Sequence, residues 1–200
     1  MVTIAEKITI FKQDLLDNKS DIDIVRKFLC FGIPHVFEGK EFEYFALKDI
    51  IAKHFGIHPN EVLIVGSGKL GFSIAPQKLW KPFDINSDID IAIISPKIFE
   101  KYWTILRDID IDTLPRNVKQ DEDYQEFLLY LFKGWLRPDK FNSKHKISNE
   151  WFKFFKSLKL IVSENKEHDV NAGIYKNFDA FEYYHCKNIN RLKNIIKENQ

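Results

Sequence analysis

The sequence predicts a mixed fold of helices and a few short strands, and three observations carry that expectation. Two apolar runs are too short for helices and stop at turn residues: Glu61-Val62-Leu63-Ile64-Val65 ends at Gly66, and Asp88-Ile89-Asp90-Ile91-Ala92-Ile93-Ile94 ends at Ser95-Pro96. The stretches on either side space their apolar residues at helical intervals. The composition, 44% hydrophobic, 14% aromatic and 30% charged, is that of a globular chain with material for a sizeable core.

Taken in order, residues 1 to about 60 read as helical, with breaks at Gly32-Ile33-Pro34-His35 and Glu38-Gly39-Lys40. Within them Phe42 to His54 keeps a helical period, and Pro59 closes that helix's exit. The first strand leads into a glycine-rich turn and a loop punctuated by Pro76 and Pro82, and the second strand follows. From Pro96 to Val162 the pattern is mainly helical, most clearly from Asp121 to Leu131 and from Asn149 to Ile161. A third strand fits Asp169 to Tyr175, and Asp179 to Lys197 reads as one charged amphipathic helix. The 200 residues fit a single domain: a helical part over 1–60, a strand-bearing core over 61–175 and a C-terminal helix over 176–200.

Charge and cysteines exclude several function classes. Lys+Arg 30 against Asp+Glu 29 leaves a net charge of +1, so no bulk attraction to nucleic acid or to an acidic membrane surface is expected. Cys30 and Cys186 cannot build a disulfide framework, and no CxxC or Cys/His metal spacing is present. Glu6, Lys7, Lys12 and Asp14 interrupt the N-terminal apolar residues, which therefore read as an amphipathic helix rather than a signal peptide. No run approaches the length that spans a bilayer, so the expected setting is cytoplasmic with no membrane partner.

Chemistry is concentrated in two places. Asp88 and Asp90 are two apart on a strand, so their carboxylates project from one face while Ile89, Ile91 and Ile93 point into packing. Like charges held that close repel unless a cation neutralises them, and magnesium, which takes oxygen ligands and shares them with substrate phosphates, suits such a pair. Alone, the pair is better read as polar residues on the solvated edge of a strand; its neighbour tips the balance. The preceding strand ends in Gly66-Ser67-Gly68-Lys69-Leu70-Gly71-Phe72-Ser73. Glycines there let the backbone approach a ligand, Ser67 and Ser73 add hydroxyls, and Lys69 adds a cation near any phosphate.

Three motifs compete for this stretch. A P-loop fails because Leu70 follows Lys69 and position 63 is Leu rather than Gly. An EF-hand starting at Asp84 fails at Ile89 and at Ser95, where Gly and a bidentate Glu belong. Gly66-x-Gly68-x-x-Gly71 does match the dinucleotide fingerprint, yet Pro76 interrupts the helix it requires and the acids open the next strand instead of closing it. A dinucleotide-binding domain is kept as the runner-up.

Gly66-Ser67 after a hydrophobic strand, followed by Ser87-Asp88-Ile89-Asp90-Ile91-Ala92-Ile93, resembles the nucleotidyltransferase superfamily that includes DNA polymerase beta. The matching stretch, Val62 to Ser95, covers about a sixth of the chain, and Gly71-Phe72-Ser73 is similar to the continuation of the family's turn. The resemblance implies an α+β fold: a short mixed sheet with helices on one side, extended here by N- and C-terminal helices. It implies two Mg²⁺ or Mn²⁺ ions on Asp88, Asp90 and a third carboxylate from a later strand, for which Asp169, opening Asp169-Val170-Asn171, is the candidate. It implies an NTP, ATP by preference, whose phosphates lie on Gly66, Ser67, Gly68, Lys69 and Ser73. A nucleoside monophosphate passes to a protein, RNA or small-molecule hydroxyl, and pyrophosphate leaves. Two departures stand out: a long spacer with Trp80, Pro82 and Phe83, read as a flap, and the unsettled third acid. Without that acid the alternative is a catalytically weak nucleotide-binding or partner-binding module, such as an antitoxin.

The remaining candidates favour structural readings. Lys153, Lys156 and Lys159 mark a solvated helix face, and Arg137 in Leu136-Arg137-Pro138-Asp139 is read as a loop residue before a phosphate or base contact. Lys187 and Arg191 read as surface charge, and His185-Cys186 as packing.

Overall fold

The computed structural model describes residues 2–17, 19–108, 117–141, 146–158, 160–163 and 166–198. Helix α1 (Ile4–Leu16) opens on a capping box in which Thr3 and Glu6 satisfy each other's backbone N–H groups. Helix α2 (Asp21–Val25) runs straight into a π-helical turn at Arg26–Cys30. Helix α3 (Glu41–Phe55) ends at Gly56 in the left-handed conformation, φ 65°, so its exit is set by that glycine and not by Pro59, which instead opens a 3₁₀ turn.

Strand β1 (Val62–Val65) leads into the five-residue helix α4 (Gly66–Leu70). Strand β2 (Ile89–Ile94) is followed by α5 (Pro96–Arg107), with Pro96 in the first turn where its missing N–H costs nothing. Helix α6 (Val118–Phe132), the two-residue strand β3 (Trp135–Leu136) and helix α7 (Lys146–Ser157) come next. The expected helix through Ile161 stops four residues short, because Leu160–Ser163 forms strand β4, paired antiparallel with β5 (Lys166–His168). Strand β6 (Val170–Tyr175) and helix α8 (Phe178–Glu198) complete the chain.

The main sheet has the order β1-β2-β6-β3, antiparallel at both margins and parallel between β2 and β6, so the fold is α+β with a mixed open sheet. Alternation along each strand separates two cores. Ile89, Ile91 and Ile93 pack with Val62, Ile64, Val170, Ala172 and Ile174 against α3, α5, α6 and α7, through residues such as Ile51, Phe99, Phe127 and Trp151. On the other face Val65, Ala92, Ile94 and Tyr175 pack against Phe11, Ile24 and Val25, and against Phe181, Ile189 and Leu192 of α8. Helices therefore cover both faces, and the expectation of helices on one side is corrected. A fully apolar β2 flank such as Ala92 and Ile94 cannot be left in water, so a second helical layer forms over it.

That second layer is incomplete. Helices α1, α2 and α8 cover the C-terminal half of β2 and leave Asp88 and the Asp90 end open. Arg26 grips Glu182 through Nε and Nη2 at 2.6 and 3.0 Å, and Lys193 reaches Asp21 at 2.6 Å, locking α2 to α8 beside that opening. None of the helices among the described residues is long and apolar enough to cross a membrane.

His185 of α8 is 8% exposed, its ring 4.4 Å from that of Phe181, and its Nε2 has no hydrogen-bond partner. Burial pushes its pKa down to about 3, against an ordinary value of 6.5. The neutral form is therefore favoured in the folded chain, and the unfolded chain gains protons first as pH falls. Between pH 6.5 and pH 5 this one group is expected to remove about 2 kcal/mol of stability. Urea titrations of wild type and His185→Phe at the two pH values check it: the variant should lose less stability on acidification by about that amount.

Candidate functional site

The register of β1 against β2 places Val65 opposite Asp90, so the residue that follows Val65 meets the Asp90 side chain. That residue is Gly66, with φ +63°. A Cβ built there would lie 2.8 Å from Asp90 Oδ2, closer than real side chains come. Glycine is required twice over, by the left-handed backbone and by the carboxylate resting against it. On the other side of β2, Asp90 is in register with Asn171 of β6. The Asn171 side chain crosses to Asp88, its Nδ2 donating to Asp88 Oδ2 at 3.2 Å.

The turn ahead of Asp88 is built by Asp84, whose Oδ1 accepts the Asn86 N–H and the Ser87 hydroxyl at 3.0 and 3.1 Å. The Lys81 ammonium adds a 2.7 Å contact, and with it Asp84 is held down at a pKa of about 2. Ser87 O then meets the His168 ring nitrogen at 2.7 Å, and the Ile89 N–H donates to Asp169 O, which starts the β2–β6 ladder directly after Asp88.

Between Gly71 and Ser87 the spacer forms an ordered flap. Ser73 N donates to Lys81 O and Phe83 N to Gly71 O, with a bridge between Phe72 and Pro82. Phe72 anchors it, 1% exposed, with ring centroids 5.6 Å from Phe11 and 5.9 Å from Trp80. Trp80 adopts φ 65°, an uncommon conformation for a bulky residue, where its N–H donates to Ser73 O at the base of that flap.

Flap, strand ends and α8 enclose a cavity of about 590 Å³, within the range of small-ligand sites. Asp88, Asp90, Gly66, Ser67 and Ser73 all line it, so five of the residues singled out in the sequence come together. Three do not. Gly68 packs into the protein against Ile64 and Val36. Lys69 is buried and points the other way, its Nζ on the carbonyls of Phe31 and Gly32, where burial lowers its pKa to about 8. It ties down the two residues that follow the π-helical turn and does not line the cavity. Asp169 is exposed just ahead of β6 and lies off the cavity; the β6 residue beside the acid pair is Asn171.

The sequence reading assigned structural roles to part of one wall, Arg137 as a loop residue, Arg191 as surface charge and His185 as packing, and did not single out the rest of it. Tyr184, His185, Asn188, Arg191 and Leu192 line the cavity from α8, and Trp135 and Arg137 from β3 and its exit. The α8 residues share a helical stripe, which a helix-face plot would display, but nothing local says which stripe meets the acids. Arg137 pairs through Nε with Asp139 at 2.9 Å and again through Nη2, and its guanidinium lies 5.8 Å from the centre of the Trp135 ring.

Electrostatics make Asp90 the unusual group. Burial at the cavity floor and the charge of Asp88 push its pKa up to about 6, with Arg137 pulling weakly the other way. Its ionised form is under-compensated at neutral pH, the condition in which a cation binds well. Among the described residues no group of three or more His, Cys, Asp or Glu side chains could hold a metal ion. The two aspartates nevertheless fit a hard, oxygen-seeking divalent cation that takes its other ligands from water or phosphate.

Two stability measurements follow. The folded pKa of Asp90 lies above its unfolded value, so its contribution is present below about pH 4 and is lost as pH rises through 6. In chelator at pH 7, Asp90→Asn is expected to be more stable than wild type by about 2–3 kcal/mol, with the gap closing by pH 4. Gly66→Ala is expected to cost about 1–3 kcal/mol through its backbone conformation and displacement of Asp90, read from denaturant midpoints. Compared with protein-family models, with curated proteins and with solved structures, the chain has no match, so a functional reading stands on this geometry.

Proposed function

We propose that the chain is a metal-dependent nucleotidyltransferase that moves a nucleoside monophosphate from an NTP, ATP by preference, to an acceptor hydroxyl. The observation that carries this reading is the contact between Asp90 and Gly66. It sets two carboxylates and a glycine-serine bend at the floor of one cavity of nucleotide size.

In this reading Asp88 and Asp90 hold Mg²⁺ or Mn²⁺, and the bound cation supplies charge neutralisation at the phosphates. Ser67 and the backbone of the Gly66 bend receive phosphate oxygens, while the missing Cβ of Gly66 leaves room for the Asp90 carboxylate beside them. Arg137, held in place by Asp139, adds a fixed positive charge on the same cavity. The flap residues Ser73 to Lys78 exclude water from one side. The acceptor oxygen forms a bond to the α-phosphorus, the bond from that phosphorus to the β-phosphate oxygen breaks, pyrophosphate leaves, and the hydroxyl proton passes to solvent. A protein side chain, an RNA end and a small alcohol are all acceptable acceptors.

A second reading, a nucleotide-binding module with little or no transfer, is favoured by Asn171, an amide where the strand beside the acid pair could have supplied a third carboxylate.

Incubation with each labelled NTP and Mg²⁺ or Mn²⁺ separates the two. Wild type is expected to release pyrophosphate, and Asp88→Ala/Asp90→Ala to lose that release by about 100-fold or more, as expected where charge-stabilising groups are removed. Release that persists in the double variant sinks the transferase. Tight metal-dependent nucleotide binding without release selects the binding module.

A further inference from the structure

We infer that the acid pair holds one divalent cation and not two, and that Asn171 sets that number. The inference rests on the reading of Asp88 and Asp90 as metal ligands, and it refines the count that a resemblance to two-metal enzymes implies.

The first argument is positional. Asn171 lies in register with Asp90 across the parallel β2–β6 pair, and its amide nitrogen sits 3.2 Å from Asp88 Oδ2. It therefore occupies the space beside the pair that a third carboxylate would need in order to bridge a second ion. Its N–H also takes up one of the oxygens Asp88 has to offer, leaving fewer lone pairs for cations. Asp169 cannot substitute, since it is exposed one residue ahead of β6 and does not line the cavity.

The second argument is charge. Two divalent cations bring four positive charges to a spacing of roughly 3.5–4 Å, and they need bridging anions to stay there. Asp88 and Asp90 supply two negative charges, and Asn171 supplies none. With no nucleotide bound, one cation balances the pair, and a second gains no further anion from Asn171. The same amide that withholds charge does useful work for one ion: it holds the exposed Asp88 carboxylate in position beside Asp90. Asn171 is thus a positioning residue.

The test counts Mn²⁺ by electron paramagnetic resonance. Full-length wild type, Asn171→Asp, Asn171→Ala and Asp88→Ala/Asp90→Ala are titrated with Mn²⁺ alone and then with an ATP analogue carrying a methylene between the α- and β-phosphates. Wild type is expected to take up one Mn²⁺ per chain, with no spin coupling between ions. Asn171→Asp is expected to take up two, with the coupled signal of neighbouring ions and a second-site affinity at least tenfold tighter. Asn171→Ala is expected to keep one ion at weaker affinity. Two coupled ions in wild type, or a count unchanged in a folded Asn171→Asp, overturns the inference and leaves the transferase reading standing. Should Asn171→Asp not fold, the wild-type count decides alone. No Mn²⁺ bound by wild type under either condition, or a count unaltered in the double alanine variant, removes the transferase reading and this refinement with it.

Discussion

The contact on which the site depends is the approach of the Asp90 carboxylate to the α-carbon of Gly66. It follows from one register, Val65 opposite Asp90, that the hydrophobic packing of β1 and β2 enforces. A one-residue slip would turn Ile89, Ile91 and Ile93 out of the core and the aspartates into it, so burial of the isoleucines indirectly fixes where the acids stand. Any side chain at position 66 would push either the bend or the carboxylate away. Through that pair of residues, the strand end, the Ser67 hydroxyl and two negative charges become a single arrangement.

The cavity exists because the second helical layer stops part-way along β2. Ala92 and Ile94 need cover and receive it from α1, α2 and α8; Asp88 and Asp90 cannot be covered by apolar helices without losing hydration. The boundary between those demands runs across the middle of the strand, and the open half becomes the floor. Gly173 sharpens the edge: a Cβ there would meet Trp135 Nε1 at 2.5 Å, so its absence lets the indole lie close on β6. Trp135 in turn stacks on Tyr175, with planes 8° apart, and directs the chain so that Arg137 emerges into the cavity.

How much of this was legible in the sequence depended on the range of the forces involved. The acid pair, the isoleucine alternation and the glycine bend are local, and each element that carries them was located to within a residue or two. Lys69 was misdirected because its neighbours in sequence suggest a phosphate turn, whereas its partners, the carbonyls of Phe31 and Gly32, lie far back along the chain. The helix predicted through Ile161 gave way to β4 because pairing with β5 overrides local periodicity. The sequence placed Asn171 on a strand and Arg191 and His185 on a helix, but not their positions beside the acid pair. Their positions depend on β6 crossing over to lie parallel to β2, and no local pattern encodes that neighbour.

The charges around the cavity also constrain the kind of ligand it can take. Asp90 is destabilised in its ionised form, and Arg137 relieves it only at a distance, its Nε and Nη2 being committed to Asp139. Lys81 is likewise bound to Asp84, yet it lines the same cavity with Lys78 and Arg191. A neutral ligand would leave the acids and the basic rim both unmet. A bare polyanion would meet the rim but be repelled by Asp88 and Asp90, and a bare cation would do the reverse. A polyphosphate arriving with its divalent cation satisfies both halves at once. That complementarity is independent of any resemblance in sequence, and it favours a metal–nucleotide complex over a dinucleotide bound without metal.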